Sequence, residues 1–204
     1  MDFVTSREEL RAHYRPASEG ALKKEMRRLD PHSRNFIARS PFVLIGSTDG
    51  NGNADVTPKG DKPGFVAVLD DATLAIPDRP GNNRLDTLEN LVETPAIGLL
   101  FLIPGMNETL RVNGEARITF DAALRERLAV EGKVPLGVIV VSVSAVYMHC
   151  AKAFMRSQLW QPESWPPRTD MPTLGQILKD QTAFAESAET KDRWLDEVYR
   201  REMW

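Results

Sequence analysis

The segment ATLAIPDRPGNNRLDTLENLVETPAIGLLFLIPG, from Ala72 to Gly105, predicts a strand, a turn, a helix and a buried second strand. Residues 73–76 are typical of a strand, and the Pro-Gly pair that follows at 80–81 indicates a turn. Apolar side chains then recur at a helical spacing, at Leu85, Leu88, Leu91 and Val92. We expect Asn82 or Asn83 to cap this helix, and the helix to end at Glu93.

Two arginines, Arg79 and Arg84, flank the predicted start of this helix. The first turn of a helix favours acidic residues, because the N-terminal end of the helix carries a partial positive charge. A bound phosphate would account for cations at this position. The local sequence also allows both arginines to be solvated, or paired with Asp78, Asp86 or Glu89.

Working outward from this segment, the chain has mostly the pattern of short strands. Residues 40–58 predict a hairpin, residues 108–120 a strand with a bulge at Asn113-Gly114, and residues 136–150 a long final strand. "GFVAVLD" at 64–70 predicts one more strand. About seven short strands with hairpin links favour a mainly β fold, an antiparallel barrel with flanking helices, over a parallel sheet.

Helices are predicted at both ends of the chain. Ser6 and Glu9 match a capping box, with Leu10 and Tyr14 as candidate core contacts. Asp30 followed by proline predicts another helix start. We divide the chain as follows, with one structural domain overall: N-terminal helices packing on the barrel at 1–40, the barrel at 41–156, and a Pro/Trp-rich loop with a helical tail at 157–204.

The composition of the chain excludes several classes of function. With 204 residues and a net charge of -3, nothing favours binding to nucleic acid. No segment has the roughly 20 apolar residues of a membrane span, and a single cysteine, Cys150, fits a reducing compartment. We therefore expect a cytoplasmic protein. The three histidines lack metal-ligand spacing, so no metal site is predicted, and no nucleophile motif identifies a catalytic residue.

Two further basic groups suggest binding of an anion. Lys59 lies at the end of a strand, directly after Pro58, which prevents further strand pairing there. Lys152, Arg156 and Trp160 follow the last strand at a four-residue spacing. If that stretch is helical, the three side chains share one face. Together with Lys59, Arg79 and Arg84, they would then form a set of basic clusters with an aromatic side chain that can surround a planar phosphorylated ligand. The alternative is a solvated basic face, with the tryptophan packing onto the barrel.

The stretches DVTPKGD at 55–61, GFVAVLDDATLAIPDRPGNNRLDTLENLVETPAIGLLFLIPG at 64–105 and LRVNGEARI at 110–118 resemble the FMN-binding split barrels related to pyridoxamine 5'-phosphate oxidase. The resemblance covers roughly residues 35–160. It implies a six- to seven-stranded antiparallel split barrel that forms a homodimer, with FMN at the subunit interface. It also implies the following cofactor-binding residues: Val56, Thr57, Pro58 and Lys59 along the flavin, Ile76 and Pro77 on the next strand, Asn82, Asn83 and Arg84 at the phosphate, and Arg111 from the partner.

Departures from the family pattern limit what the resemblance implies. The oxidases carry an arginine where this chain has Ala54 or Asp55, and we expect Arg79 to supply that charge. The chain also lacks the Arg-x-His pair that grips pyridoxamine phosphate near the C-terminus. The resemblance thus favours an FMN-dependent oxidoreductase of another small molecule, with NAD(P)H or a different reductant. The alternatives are a flavin carrier or sensor without turnover, or the same barrel binding a deazaflavin or haem.

Overall fold

The computed structural model of the protein describes residues 1–182 and 184–203, and a seven-stranded antiparallel sheet forms its centre. The strands are β1 (Phe42–Thr48), β2 (Ala54–Gly60), β3 (Ala67–Val68), β4 (Thr73–Asp78), β5 (Ala96–Leu102), β6 (Thr109–Thr119) and β7 (Gly137–His149). The helices are α1 (Arg7–Ala12), α2 (Glu19–Lys23), α3 (Pro31–Arg39), α4 (Asp86–Glu93), α5 (Ala122–Arg127), α6 (Lys152–Ser157), α7 (Leu174–Thr182) and α8 (Ala188–Glu202). Short 3-10 turns occupy Pro162–Ser164 and Arg168–Asp170.

The strands follow the order β2-β1-β5-β6-β7-β4-β3, and every neighbouring pair is antiparallel. The predicted mainly β fold, a split barrel with flanking helices, is therefore confirmed. β2 and β4 are consecutive long strands in the chain, yet they lie far apart in this order. Side chains must therefore bridge the gap between them, since no ladder of backbone hydrogen bonds does.

Alternating side chains form the core on the inner face of the sheet. Val43 and Ile45 of β1 and Leu110 and Val112 of β6 are fully buried. The predicted bulge in β6 is confirmed, because the pairing with β7 shifts between Asn113 and Gly114. An added Cβ at position 114 would lie 2.1 Å from the Ser142 carbonyl oxygen, so only glycine fits there.

The N-terminal segment contains one expectation that is wrong and two that are confirmed. The Ser6 hydroxyl accepts a hydrogen bond from the Glu9 amide, as the capping box predicts. Leu10 and Tyr14, however, are 45% and 67% exposed and make no core contact, because α1 buries no residue against the sheet. Asp30 caps α3 through the Ser33 amide, and that helix does pack on the core.

Two further elements differ in length from the sequence prediction. The strand expected over 64–70 is reduced to β3, since the Phe65 amide bonds to the Lys62 carbonyl in a turn. The helix predicted over residues 82–93 begins four residues late, at Asp86.

In the tail, α7 and α8 pack against each other, where the Gly175 amide donates to Asp192 at 2.7 Å. No helix in the described ranges is long and apolar enough to cross a bilayer.

Candidate functional site

A cleft of about 190 Å³ lies between β2, the loop after β4 and the first turn of α4. Half of the predicted cofactor-binding residues line this cleft: Val56, Thr57, Lys59, Arg79, Asn82, Asn83 and Arg84. Their grouping follows from the split in the sheet, because the inner face of β2 meets the end of β4 there. The fold thus brings together basic and amide side chains that are separated by up to 25 positions in the sequence.

The loop from Pro80 to Leu85 has an unusual backbone. Asn83 and Leu85 both adopt left-handed conformations, with φ of 56° and 62°. Asparagine tolerates this region, but leucine pays roughly 1–2 kcal/mol for it. The predicted cap at Asn82 or Asn83 is wrong: Asn82 instead accepts a hydrogen bond from the Arg84 amide, and Leu85 occupies the N-cap position. As a result, no described side chain caps the first turn of α4.

Lys59 closes the split between β2 and β4. Its Nζ lies 2.7 Å from Asp78 Oδ1, and the two side chains are only 24% and 15% exposed. The pair joins the end of β2 to the end of β4, which share no backbone ladder. Lys59 therefore presents a partly buried, fixed positive charge at the floor of the cleft.

Arg79 is fixed by two partners on the far wall of the cleft. Its Nε lies 2.8 Å from Asp61 Oδ2, and its Nη2 donates to the Leu128 carbonyl at 3.0 Å. The Asp61 side chain is fully buried, and the Arg79 side chain is 16% exposed. The guanidinium therefore ties together the β2–β3 turn, the end of β4 and the end of α5.

Arg84 is the most exposed of the three cations that line the cleft. Its Nε lies 2.8 Å from Asp86 Oδ2, and the two side chains are 74% and 44% exposed. Exposed pairs of this kind contribute about 0–1 kcal/mol, so the guanidinium can exchange this carboxylate for another anion. Asp86 is one of the three carboxylates that the sequence predicts as ion-pair partners of the arginines. Asp61, the partner of Arg79, is not one of them.

The remaining strand residues predicted at the site lie outside the cleft lining. Ile76 is fully buried in the core and Pro77 is also buried, so both support the cleft from beneath. Pro58 is exposed on the outer face of β2. Arg111 is on β6, where its Nη1 donates to the Tyr147 hydroxyl at 3.1 Å.

The expected alignment of three residues after the last strand is wrong. α6 carries Lys152 and Arg156, both exposed, but it ends at Ser157, and Gln158 turns the chain with φ of 51°. Trp160 therefore lies beyond the helix. Its Nε1 donates to the Met106 carbonyl at 2.7 Å, and its ring stacks on Phe154 with centroids 5.7 Å apart.

Several residues that line the cleft were missed by sequence reasoning. Asp55 accepts a hydrogen bond from the Thr87 hydroxyl at 3.2 Å, which fixes α4 against β2. Side chains alternate between the two faces along residues 55–59 of β2. This alternation could have indicated Asp55, because it shares a face with Thr57 and Lys59. Leu136, 60% exposed, reaches the cleft from the loop before β7, and no local signal predicts this.

The fold and the cleft define a class of protein, a small antiparallel split barrel with a cleft that holds three cations beside a helix N-terminus. A sequence profile of the family described as Pyridoxamine 5'-phosphate oxidase matches residues 29–150, more than half of the chain. The protein therefore belongs to the pyridoxamine 5'-phosphate oxidase family.

Three solved structures illustrate the likeness in fold. HupZ from Group A Streptococcus is 17% identical, with 59% of this chain and 99% of that chain covered and a TM-score of 0.50. A putative pyridoxamine 5'-phosphate oxidase from Lactobacillus delbrueckii is 20% identical (60% and 95% covered, TM-score 0.49). An FMN-binding protein from Syntrophomonas wolfei is 17% identical (57% and 81% covered, TM-score 0.45). No curated protein sequence matches the chain. At these identities the likeness concerns the fold alone.

Proposed function

We propose that the protein binds FMN in the cleft between β2 and α4 and acts as an FMN-dependent oxidoreductase on a small molecule. The observation that supports this most is the loop before α4. There Arg84 and two asparagines adjoin a helix start that no described side chain caps. Amide groups at such an end, together with the helix dipole, favour a phosphate.

The residues of the cleft fit a phosphorylated ring system. Arg84 can leave Asp86 for a phosphate at little cost, since their pair is exposed. Asn82 accepts a hydrogen bond from the Arg84 amide, and Asn83 adopts a left-handed conformation beside it, so both lie at the cleft next to this guanidinium. When bound, FMN would supply the electron transfer, while the protein would orient it and exclude water.

Other residues have supporting roles in this proposal. Lys59 would place its charge beside the ring, because its pair with Asp78 fixes the ammonium group at the cleft floor. Val56 and Thr57 would line the edge of the ring, with Ile76 and Pro77 shaping the surface beneath and Pro58 between Thr57 and Lys59 on β2. Arg79 would shape the wall of the cleft, since its guanidinium is held by the Asp61 carboxylate and the Leu128 carbonyl.

A homodimer is part of the same proposal. Val56 is 65% exposed on the outer face of β2, next to Gly46 of β1, and Gly46 pairs in turn with Gly98 of β5. This outer face has small residues at its centre, which allows another sheet to approach closely. A second subunit there would cover the open side of the cleft, and its Arg111 would contribute charge. Lys152 and Arg156 remain candidates for the same role.

The nature of the reaction is the least constrained part of the proposal. We expect NAD(P)H or another reductant to supply electrons, in a cytoplasmic protein whose substrate is not pyridoxamine phosphate. The absorption spectrum of the purified protein distinguishes a flavin from a deazaflavin or haem. Reduction by NADPH or NADH, followed by reoxidation with candidate acceptors, distinguishes an enzyme from a carrier.

Titration with FMN and with riboflavin tests the assignment of the phosphate site. Arg84→Ala is expected to weaken FMN binding roughly 10- to 150-fold, the value of one charge-assisted contact, and to leave riboflavin binding unchanged. Arg28→Ala is a matched control, because Arg28 pairs with Asp71 at 2.7 Å with side chains 71% and 44% exposed. Equal affinities of the unmodified protein for FMN and riboflavin would show that Arg84 holds no phosphate.

A further inference from the structure

A second cavity, of about 100 Å³, adjoins the cleft at Arg79 and Pro80, which line both. Its remaining walls come from the loop between α5 and β7, where the lining residues are Val130, Lys133, Val134 and Pro135. We call this cavity the α5–β7 pocket. Its volume equals that of about three molecules of liquid water, at about 30 Å³ each, or of one small organic group.

The loop that forms the α5–β7 pocket is fixed by contacts at both of its ends. Residues 130–133 form a tight turn that two backbone hydrogen bonds close, at 2.9 and 3.1 Å. Glu131, a left-handed residue of this turn, pairs with Lys62 of the β2–β3 turn at 2.5 Å. At the other end of the loop, Arg125 Nε donates to the Pro135 carbonyl at 2.8 Å. The pocket therefore has a defined shape.

The walls of the α5–β7 pocket combine an apolar surface with positive charge. Four of the six lining residues are valine or proline, and in the described ranges none of the six is acidic. Arg79 uses its Nε for Asp61 and its Nη2 for the Leu128 carbonyl, which leaves the N–H donors of Nη1 for a ligand. Lys133 adds a second cation to the lining. An apolar group that ends in a carboxylate matches both surfaces, because its oxygens accept from guanidinium and ammonium donors.

We propose that the α5–β7 pocket binds a short aliphatic carboxylate. The pocket is smaller than an apolar cavity of roughly 150 Å³ that holds benzene, so a compact chain of about four carbons fits better than an aromatic ring. The apolar part of the ligand contacts the valine and proline side chains, and its carboxylate accepts from Arg79 and Lys133. This site is additional to the one proposed for FMN, so failure of FMN to bind would leave the proposal intact.

Methyl NMR of the full-length protein, labelled at valine, tests this proposal. The Val134 signals are assigned by the variant Val134→Ala. Isobutyrate, added at constant ionic strength, is expected to shift them in a saturable manner, with a Kd on the order of 1 mM for a ligand of this size. Isobutyramide keeps the shape of the ligand without its charge, and formate keeps the charge without the apolar part. Each is expected to bind at least about tenfold more weakly.

Matched variants locate the bound carboxylate, with the Val130 signals as the readout. Val134→Phe fills the pocket and is expected to weaken isobutyrate binding by about tenfold or more. Val92→Phe is its control, because Val92 is 76% exposed on α4 and lines neither cavity. Lys133→Met is expected to weaken isobutyrate by about tenfold and to leave isobutyramide unchanged. Lys179→Met, an exposed position on α7, is the control for charge, and Lys133→Met still tests the proposal if Val134→Phe unfolds.

Four results would overturn the proposal. Absence of a saturable shift with isobutyrate would mean that the pocket holds no such ligand. Equal binding of isobutyramide would show that the cations do not recognise a carboxylate. Equal losses in the Val92 and Val134 variants, or in the two lysine variants, would show that the acid binds elsewhere. Competitive displacement of isobutyrate by FMN would place the acid in the cleft instead of the α5–β7 pocket.

Discussion

Replacement of Arg79 by alanine is expected to destabilise the fold rather than to remove a ligand contact. The variant leaves the fully buried Asp61 carboxylate without its guanidinium. Breaking a buried pair from one side costs roughly 3–5 kcal/mol, and the lost bond to the Leu128 carbonyl adds about 1 kcal/mol. In a chain of this length each kcal/mol lowers the melting temperature by about 2–4 °C. The pair alone therefore predicts a fall of about 6–20 °C.

Urea unfolding of Arg79→Ala, Asp61→Asn and the double variant measures this effect. Asp61→Asn keeps the shape of the side chain and removes its charge, so it should relieve part of the damage caused by Arg79→Ala. We expect the double variant to be about 0.5–3 kcal/mol more stable than the sum of the single variants predicts. In flavin titrations, both single variants should weaken FMN and riboflavin by the same factor, because the wall of the cleft moves.

The opposite pattern would refute this reasoning. If Arg79→Ala melts at the temperature of the unmodified protein and loses affinity for FMN but not for riboflavin, then Arg79 is a phosphate ligand. A double variant that shows only the summed effects of the single variants would also count against the pair. The expectation from the sequence, that Arg79 replaces the missing family arginine, would then be the better account.

Three further predictions concern single residues outside the cleft. Trp160→Phe should lose the hydrogen bond to the Met106 carbonyl, which lowers the free energy of unfolding by about 0.5–1.5 kcal/mol, and should leave the fluorescence of bound flavin unchanged. A brighter flavin would instead place the indole on the flavin ring. Burial and two neighbouring cations lower the pKa of His149 from 6.5, so just below pH 6.5 the unfolded chain binds more protons, and stability falls as the pH is lowered. His149→Gln should flatten this profile of unfolding free energy, and an unchanged slope would contradict it. Gly114→Ala should lower the free energy of unfolding, measured by thermal melting, by about 1–3 kcal/mol or more, because the new Cβ meets the Ser142 carbonyl. Unchanged stability would mean that the bulge shifts freely.

Local rules predicted much of the fold from the sequence. The cap at Asp30 and the bulge at Asn113-Gly114 depend on neighbouring residues only, and both are confirmed. The antiparallel barrel followed from the number and spacing of short apolar strands. The prediction failed where the α1 pattern implied core contacts for Leu10 and Tyr14, since a helix of six residues can form without packing on the sheet.

The candidate site was predictable in its residue types but not in its pairing. The basic and amide residues after β4 were recognised because they follow a strand and precede a helix. Their partners depend on the closed barrel: Asp61 is 18 positions from Arg79, and Leu136 comes from the loop before the last strand. The left-handed Leu85, which delays α4, has no sequence signal, because leucine is disfavoured there.

The pairing of the cations also explains why three cations in one cleft are compatible with a stable barrel. Without partners, Lys59 and Arg79 would each carry a largely buried charge, which is costly to desolvate. Asp78 and Asp61 offset part of this cost and tie β4 to the end of β2 and the turn that follows it, where the sheet order leaves no backbone ladder. Only Arg84, whose pair is exposed, can change its anionic partner at little cost to folding. Affinity for a phosphorylated ligand should therefore depend on Arg84 and on the amides at the start of α4, whereas the two buried pairs set the shape that receives the ligand.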